Sequence, residues 1–255
     1  MDQDSPLLEF DPDPRGVLEP SERFQGGVLP ERLVLCFFPK ALQALLERSE
    51  TRVACPIKTF GVIDRQVHVV RRGDAEVALF QSGIGAPLAA GFLEELIALG
   101  VRKALACGGA GVLDRGIFQG QLIVPTSAIR DEGLSHHYLA AGREAEPGDQ
   151  ALEALRRALE ARQVPFLTGK TWTTDGLYRE TRGKVARRRA EGALCVEMEA
   201  AAFFAVARFR GIQLAQLLYG GDDVSGRSWD ERGWHSNWSV QEKMLELCLE
   251  AVTSF

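Results

Sequence analysis

The sequence has no CxxC pair, no long apolar run and no excess of basic charge. Its five cysteines, Cys36, Cys55, Cys107, Cys195 and Cys248, are odd in number, scattered, and mostly set in apolar stretches such as LVLCFF and ALACGG. That pattern argues against a disulfide scaffold and fits reduced, buried thiols in a cytosolic protein. No apolar run approaches the roughly 20 residues of a membrane span. The acidic, proline-bearing opening MDQDSPLLEFDPDPRG is unlike a signal peptide and reads as an extended arm over residues 1–29. A formal net charge of −5 argues against a nucleic-acid surface. The one basic cluster, RGKVARRRAEG over 182–192, reads as the solvated face of a helix.

Several chemical signatures are missing too. Neither Gly83-Ile84-Gly85 nor Gly109-Ala110-Gly111 completes a dinucleotide fingerprint, because the third glycine would fall on Leu88 or Asp114. There is no P-loop, no HExxH or paired-cysteine zinc spacing, and no GxSxG elbow. Neither a metal nor an organic cofactor is implied.

What is present is an alternation of short apolar runs with helical patterns over 255 residues. RLVLCFF (32–38), QVHVVRR (66–72), EVALFQ (76–81), GQLIVPTSAI (120–129), PFLTGKTWTT (165–174), ALCVEM (193–198) and QLAQLLYGG (213–221) read as strands. KALACGGAG (103–111) reads as a strand running into a glycine turn. Helices are expected over 40–49, after the glycine turn SGIGAP, over 149–163, over 199–211 and at the C-terminus. The alternation predicts a single α/β domain over 30–255, three-layer α/β/α with a central mixed, twisted sheet. Ligands in such folds gather at the carboxyl ends of the strands, where QSGIGAP, CGGAG, CVEME and YGGDDVSG would lie.

The segment CVEMEAAAF sets Glu197 and Glu199 around Met198 among small and apolar residues. If it is extended, both carboxylates share one face, a suitable arrangement for the two hydroxyls of a ribose. Alternatively both cap the helix that follows, where carboxylates are favoured. Asp222 and Asp223 are open to the same two readings, as turn and cap residues or as general acid. His136 and His137, in GLSHHYL, read as loop histidines or as catalytic groups.

Together these pieces resemble the nucleoside phosphorylase and nucleosidase superfamily over roughly residues 30–252. LFQSGIGAPLAAGFLEEL is similar to its strand, glycine turn and helix, ALACGGAGVL…GQLIVPTSAIRDEG to its central strands, VEMEAAAFFAVA to its sugar-binding motif, and GDDVSG to its late aspartate segment. The resemblance implies cleavage of the N-glycosidic bond of a nucleoside, with inorganic phosphate as co-substrate. It implies that Glu199 binds the ribose hydroxyls, Met198 packs beneath the sugar, and Glu197 lies near the sugar or nucleophile. It implies Asp223 as the acid at a purine N7, with Asp222 and Gly109 beside the substrate. It places Tyr178 or Leu177 against the base and Arg179 in hydrogen-bonding reach of it, which tilts the expectation to a uridine phosphorylase-like enzyme. It further implies a cytoplasmic homo-oligomer, dimer or hexamer, in which a neighbouring chain completes the pocket through the His137 segment or the N-terminal arm.

The sequence departs from that family at the nucleophile. The glycine-aspartate loop with its arginine is replaced by CFFPKA (36–41), and the arginine expected on the central strand is Ala106. A hydrolytic member would place a glutamate after the first strand, and none stands there before Glu47. Phosphate is therefore expected on backbone amides near Gly85 and Gly108–Gly111, helped by Arg130, Lys40 or a partner subunit's arginine. Hydrolysis by water, and a nucleoside-binding protein without turnover, are the alternatives.

Overall fold

A computed structural model describes residues 5–24, 28–59, 63–234 and 237–255. The elements run α1 (Pro20–Arg23), β1 (Arg32–Cys36), α2 (Pro39–Arg48), β2 (Thr51–Thr59), β3 (Ile63–Arg72), β4 (Ala75–Gln81), α3 (Ala86–Ala98), β5 (Lys103–Val112), β6 (Leu122–Asp131), β7 (Glu144–Ala145), α4 (Asp149–Ala161), β8 (Phe166–Thr174), α5 (Arg182–Ala190), β9 (Ala193–Glu197), α6 (Ala200–Arg210), β10 (Gln213–Asp223) and α7 (Trp238–Val252).

The strands form one mixed sheet in the order β10-β6-β8-β9-β5-β1-β4-β3-β2, and β10 also pairs with β5. That last pairing closes β5, β10, β6, β8 and β9 into a ring at one side of the sheet. The run β4-β1-β5-β10 is parallel, whereas β5–β9 and β6–β10 are antiparallel. Apolar side chains of α3 and α6 pack on one face and those of α2, α4 and α7 on the other, giving the three layers that the alternation predicts. Helix α6 is buried nearly all round, as its run AAAFFAVA requires, and it stops where Gly211 turns left-handed with φ 70°.

Two details differ from the sequence reading. β2 was not expected, since RVACPIKT lacks a clear period. It is an edge strand on β3, a place that tolerates Pro56. The glycines after Cys107 form no turn: β5 continues through Gly111 to Val112, paired with β10 and β9. They are glycines because neighbours crowd the backbone. A Cβ on Gly109 would stand 3.2 Å from the Tyr219 ring, and one on Gly111 3.2 Å from Val196 Cγ1.

The N-terminal segment lies along its own chain. Arg210 Nη1 donates to the Pro14 carbonyl at 2.8 Å, and Leu7 rests near Gly133. The cysteines are free, all buried except Cys55.

Candidate active site

The carboxyl ends of β1, β4, β5, β9 and β10 bring the glycine turn, the CVEME segment and the late aspartates together. At the centre stands the junction of β9 and α6. Glu197 ends the strand, and its Oε2 accepts from the backbone N–H of Glu199 at 2.8 Å and of Ala200 at 2.6 Å. Its Oε1 accepts from the Thr173 hydroxyl at 2.6 Å and the Thr171 hydroxyl at 3.4 Å. This is helix capping by a buried carboxylate. Burial pushes the Glu197 carboxyl up, opposed by Thr173, the two amides and Thr171.

Glu199 does something else. It is the N-cap residue of α6 without capping it through its side chain. The side chain reaches across to the start of α3, where its Oε1 accepts from the Gly85 N–H. Gly85 has φ 96°, a conformation that favours glycine and aims the amide at this carboxyl. Burial, and then the charge on Glu197, push Glu199 up to about 8. At neutral pH Glu199 therefore holds a proton and can both donate and accept. Met198, between them, is half-buried. The two carboxylates do not share a face, because the chain turns into the helix after Glu197: one builds the helix and the other faces Gly85.

The late aspartates also divide. Asp223 is 3% exposed, with Oδ1 accepting from the Ser225 N–H at 2.8 Å and Oδ2 from Arg232 Nη2 at 2.7 Å. Burial pushes its carboxyl up, but Ser225, Arg232 and Arg115 outweigh burial and hold it below the ordinary carboxylate range. Asp223, expected as a general acid, is thus held in an ion pair with Arg232 and a bond from the Ser225 amide. Asp222 is half-buried, its carboxyl oxygens 3.4 and 3.5 Å from where a Cβ on Gly111 would stand, and it accepts from the Trp229 indole at 2.6 Å. Facing it is Glu180, a residue the sequence reading passed over. Burial, and then the charge of Asp222, push the Glu180 carboxyl up to about 7. Arg182 Nη2 ties the two loops by donating to the Arg227 carbonyl at 2.8 Å.

The remaining candidates are scattered. Tyr178 is 92% exposed, and Leu177 and Arg179 are exposed beside it. Arg130 is buried, and its guanidinium donates to Ser135 Oγ and to the carbonyls of Ser135, Leu139, Ala140 and Gly142. Those bonds occupy the whole fork and hold the loop after β6, so Arg130 is not a phosphate ligand. Lys40 lies over the Trp238 ring, 4.0 Å from its centroid. His137 is exposed on the turn Leu134–His137. Of the tryptophan-rich segment 227–238, residues 235 and 236 lie outside the described residues. Trp229 covers Asp222, while Trp238 begins α7. Among the described residues, no group of three or more His, Cys, Asp or Glu could hold a metal ion, and no helix is long and apolar enough to cross a membrane.

The buried Glu199 carboxyl, the glycine turn and the late aspartates thus lie at the carboxyl ends of the strands of a three-layer α/β fold. The chain belongs to the phosphorylase superfamily, whose family model matches residues 31–252. It is 31% identical over 185 residues to the guanosine phosphorylase of Halorubrum lacusprofundi, covering 70% of this chain and 76% of that protein. It is 30% identical over 156 residues to the uridine phosphorylase of Treponema pallidum, covering 57% of this chain and 60% of that one. The crystal structure of uridine phosphorylase from Vibrio fischeri superposes with a TM-score of 0.75 at 22% identity, over 89% of this chain and 93% of that chain. These relatives are phosphorylases, which are pentosyltransferases. Nucleoside phosphorylases of the family use inorganic phosphate as co-substrate and need no cofactor.

Proposed function

We propose that the protein cleaves the N-glycosidic bond of a ribonucleoside or deoxyribonucleoside with inorganic phosphate, giving free base and sugar 1-phosphate. The observation that carries this reading is Glu199, a buried carboxyl held on the Gly85 amide beside half-buried Met198. In it, Glu199 binds the ribose hydroxyls and Met198 lies under the sugar. Glu197 acts through the helix it caps rather than on the substrate. As the C1′–N bond breaks, its electron pair goes to the base, and a phosphate oxygen bonds C1′ as positive charge develops there.

At the base end, the expectation of a uridine-like enzyme rested on Tyr178 and Arg179. Both are exposed, and the residue turned inward beside them is Glu180. Burial, and then the charge of Asp222, push Glu180 up to about 7, which suits a purine that leaves more easily once N7 is protonated. The likeness to a guanosine phosphorylase supports the purine side of this reading. Asp223 ties the end of β10, which carries Asp222, to the segment that follows through its bonds to Ser225 and Arg232. A cytoplasmic homo-oligomer, with exposed His137 available to a neighbouring chain, completes the proposal.

The test is base release from guanosine, inosine, adenosine, uridine and thymidine, each with and without phosphate. Phosphate-dependent release accompanied by sugar 1-phosphate is expected, faster for the oxopurines. Release at the same rate without phosphate would replace phosphorolysis with hydrolysis, and nucleoside binding without release would replace it with a binding protein.

A further inference from the structure

The nucleophile end of the site has an unexplained feature in β10. Gln216 is 1% exposed, and its Oε1 has no hydrogen-bond partner among the described residues. A buried amide oxygen without a partner is costly and uncommon. Its place in the sheet is specific. Gln216 is the register partner of Ala106 on β5, in the centre of the parallel run. Its strand neighbours Ala215 and Leu217 belong to the core under α2, α4 and α7, so Gln216 points to the opposite face, that of α3 and α6.

A Cβ on Gly108 would stand 3.4 Å from the Phe37 ring, 3.7 Å from Leu218 Cδ2 and 3.8 Å from Gln216 Nε2. Phe37 follows β1, and its ring centroid is 6.3 Å from that of Phe203. Phe203 lies one turn into α6 from Glu199, its N–H donating to the Glu199 carbonyl at 2.9 Å. A chain of packed neighbours thus links the helix that Glu199 opens, through Phe203 and Phe37, to Gly108 and Gln216. Glycine at 108 keeps free the space a side chain would fill next to the amide.

We infer that Gln216 is the group that positions the attacking oxygen, using its side-chain amide next to Gly108. This rests on the glycoside-cleaving reading proposed above. An amide offers a donor and an acceptor at one end. It therefore suits an oxygen nucleophile that accepts one hydrogen bond and gives another, a description that covers both hydrogen phosphate and water. A fully charged clamp would favour only the anion.

The experiment compares the wild type with Gln216→Leu in base release, titrated with inorganic phosphate and repeated in phosphate-free buffer, with nucleoside affinity and Tm measured in parallel. We expect kcat/KM for phosphate to fall about tenfold or more with nucleoside Kd within about twofold, the loss of one hydrogen bond to a charged group. We expect Tm to hold or rise, because an unpartnered buried amide is gone. If the wild type releases base in water alone, the same loss in kcat of that reaction identifies water as the occupant and supports the inference. If the wild type releases no base, phosphate binding in the presence of nucleoside is compared by calorimetry, and its loss in the variant supports the inference although the phosphorylase reading has failed. Equal phosphate and water dependence in variant and wild type overturns it, as does a wild type that neither releases base nor binds phosphate. Should the leucine variant not fold, Gln216→Met, closer in length, is read by the same criteria.

Discussion

The proposed sugar end and base end of the site both carry a carboxyl pushed well above its ordinary range, and they achieve it differently. Glu199 is nearly inaccessible, is fixed by a backbone amide from another helix, and sits two residues from a capping glutamate bound by four donors. Glu180 is half-buried on a short loop, opposed by Asp222 at the end of β10, whose indole cover, Trp229, is 60% exposed. The first end is part of the core and is set when the chain folds. The second lies where the end of β10 meets the turn before α5, with Arg182 donating to the Arg227 carbonyl across it.

That contrast can be broken by substitution. The largest effect is expected for Glu197→Ala, which strips two backbone amides and two threonine hydroxyls of their acceptor. Unsatisfied buried donors cost about 1–3 kcal/mol each, so a loss of about 3 kcal/mol or more is expected in denaturant unfolding. Glu197→Gln, which retains an acceptor oxygen, should lose much less. Equal stability of the alanine variant and the wild type would refute the capping role.

Next in size is the pH dependence at the sugar end. The folded carboxyl of Glu199 sits near 8 and the ordinary value is 4.5, so between these limits the folded state binds more protons than the unfolded. Its contribution to stability is therefore complete below about pH 4.5 and is lost as pH rises through about 8. Glu199→Gln should flatten this slope in Tm measured from pH 5 to pH 9, and a slope unchanged by the substitution would contradict the assignment.

At the base end, Asp222→Asn removes the charge that, after burial, raises Glu180. The Glu180 carboxyl should fall below 7, and the alkaline limb of the activity profile should move to lower pH by roughly one unit, a change of about 1.4 kcal/mol between protonation states. A profile that keeps its limb would dissociate Glu180 from the proton. The smallest effect belongs to Tyr178→Ala. A residue this exposed should change stability by no more than about 0.5 kcal/mol, while base affinity falls a few-fold through lost stacking.

Much of this was legible in the residues, for identifiable reasons. Long apolar periods marked α3, α4 and α6, and buried runs marked β1, β4 and β10, since core position leaves a strong pattern. β2 escaped because an edge strand needs no such pattern and accepts proline. The CVEME segment announced a site, but whether its glutamates face one way depends on where the helix begins, and spacing does not fix that. The division of Asp222 from Asp223 follows from the irregular register of β10 against β5 between Gly220 and Asp223. Arg130 looked free for an anion because the loop carbonyls that surround it come from residues 135–142 folded back over it. Glu180 and Gln216 carried no local signal at all: each becomes notable only through a partner, or the lack of one, across the fold.

The most direct test of the account is nucleoside binding to Glu199→Gln by calorimetry, with the fold checked by circular dichroism. The account predicts an intact fold with affinity lowered about tenfold to a hundredfold, the value of hydrogen bonds to a carboxyl that alone faces the sugar. Unchanged affinity in a folded variant would contradict it and would leave Glu199 as a bridge between two helices and nothing more.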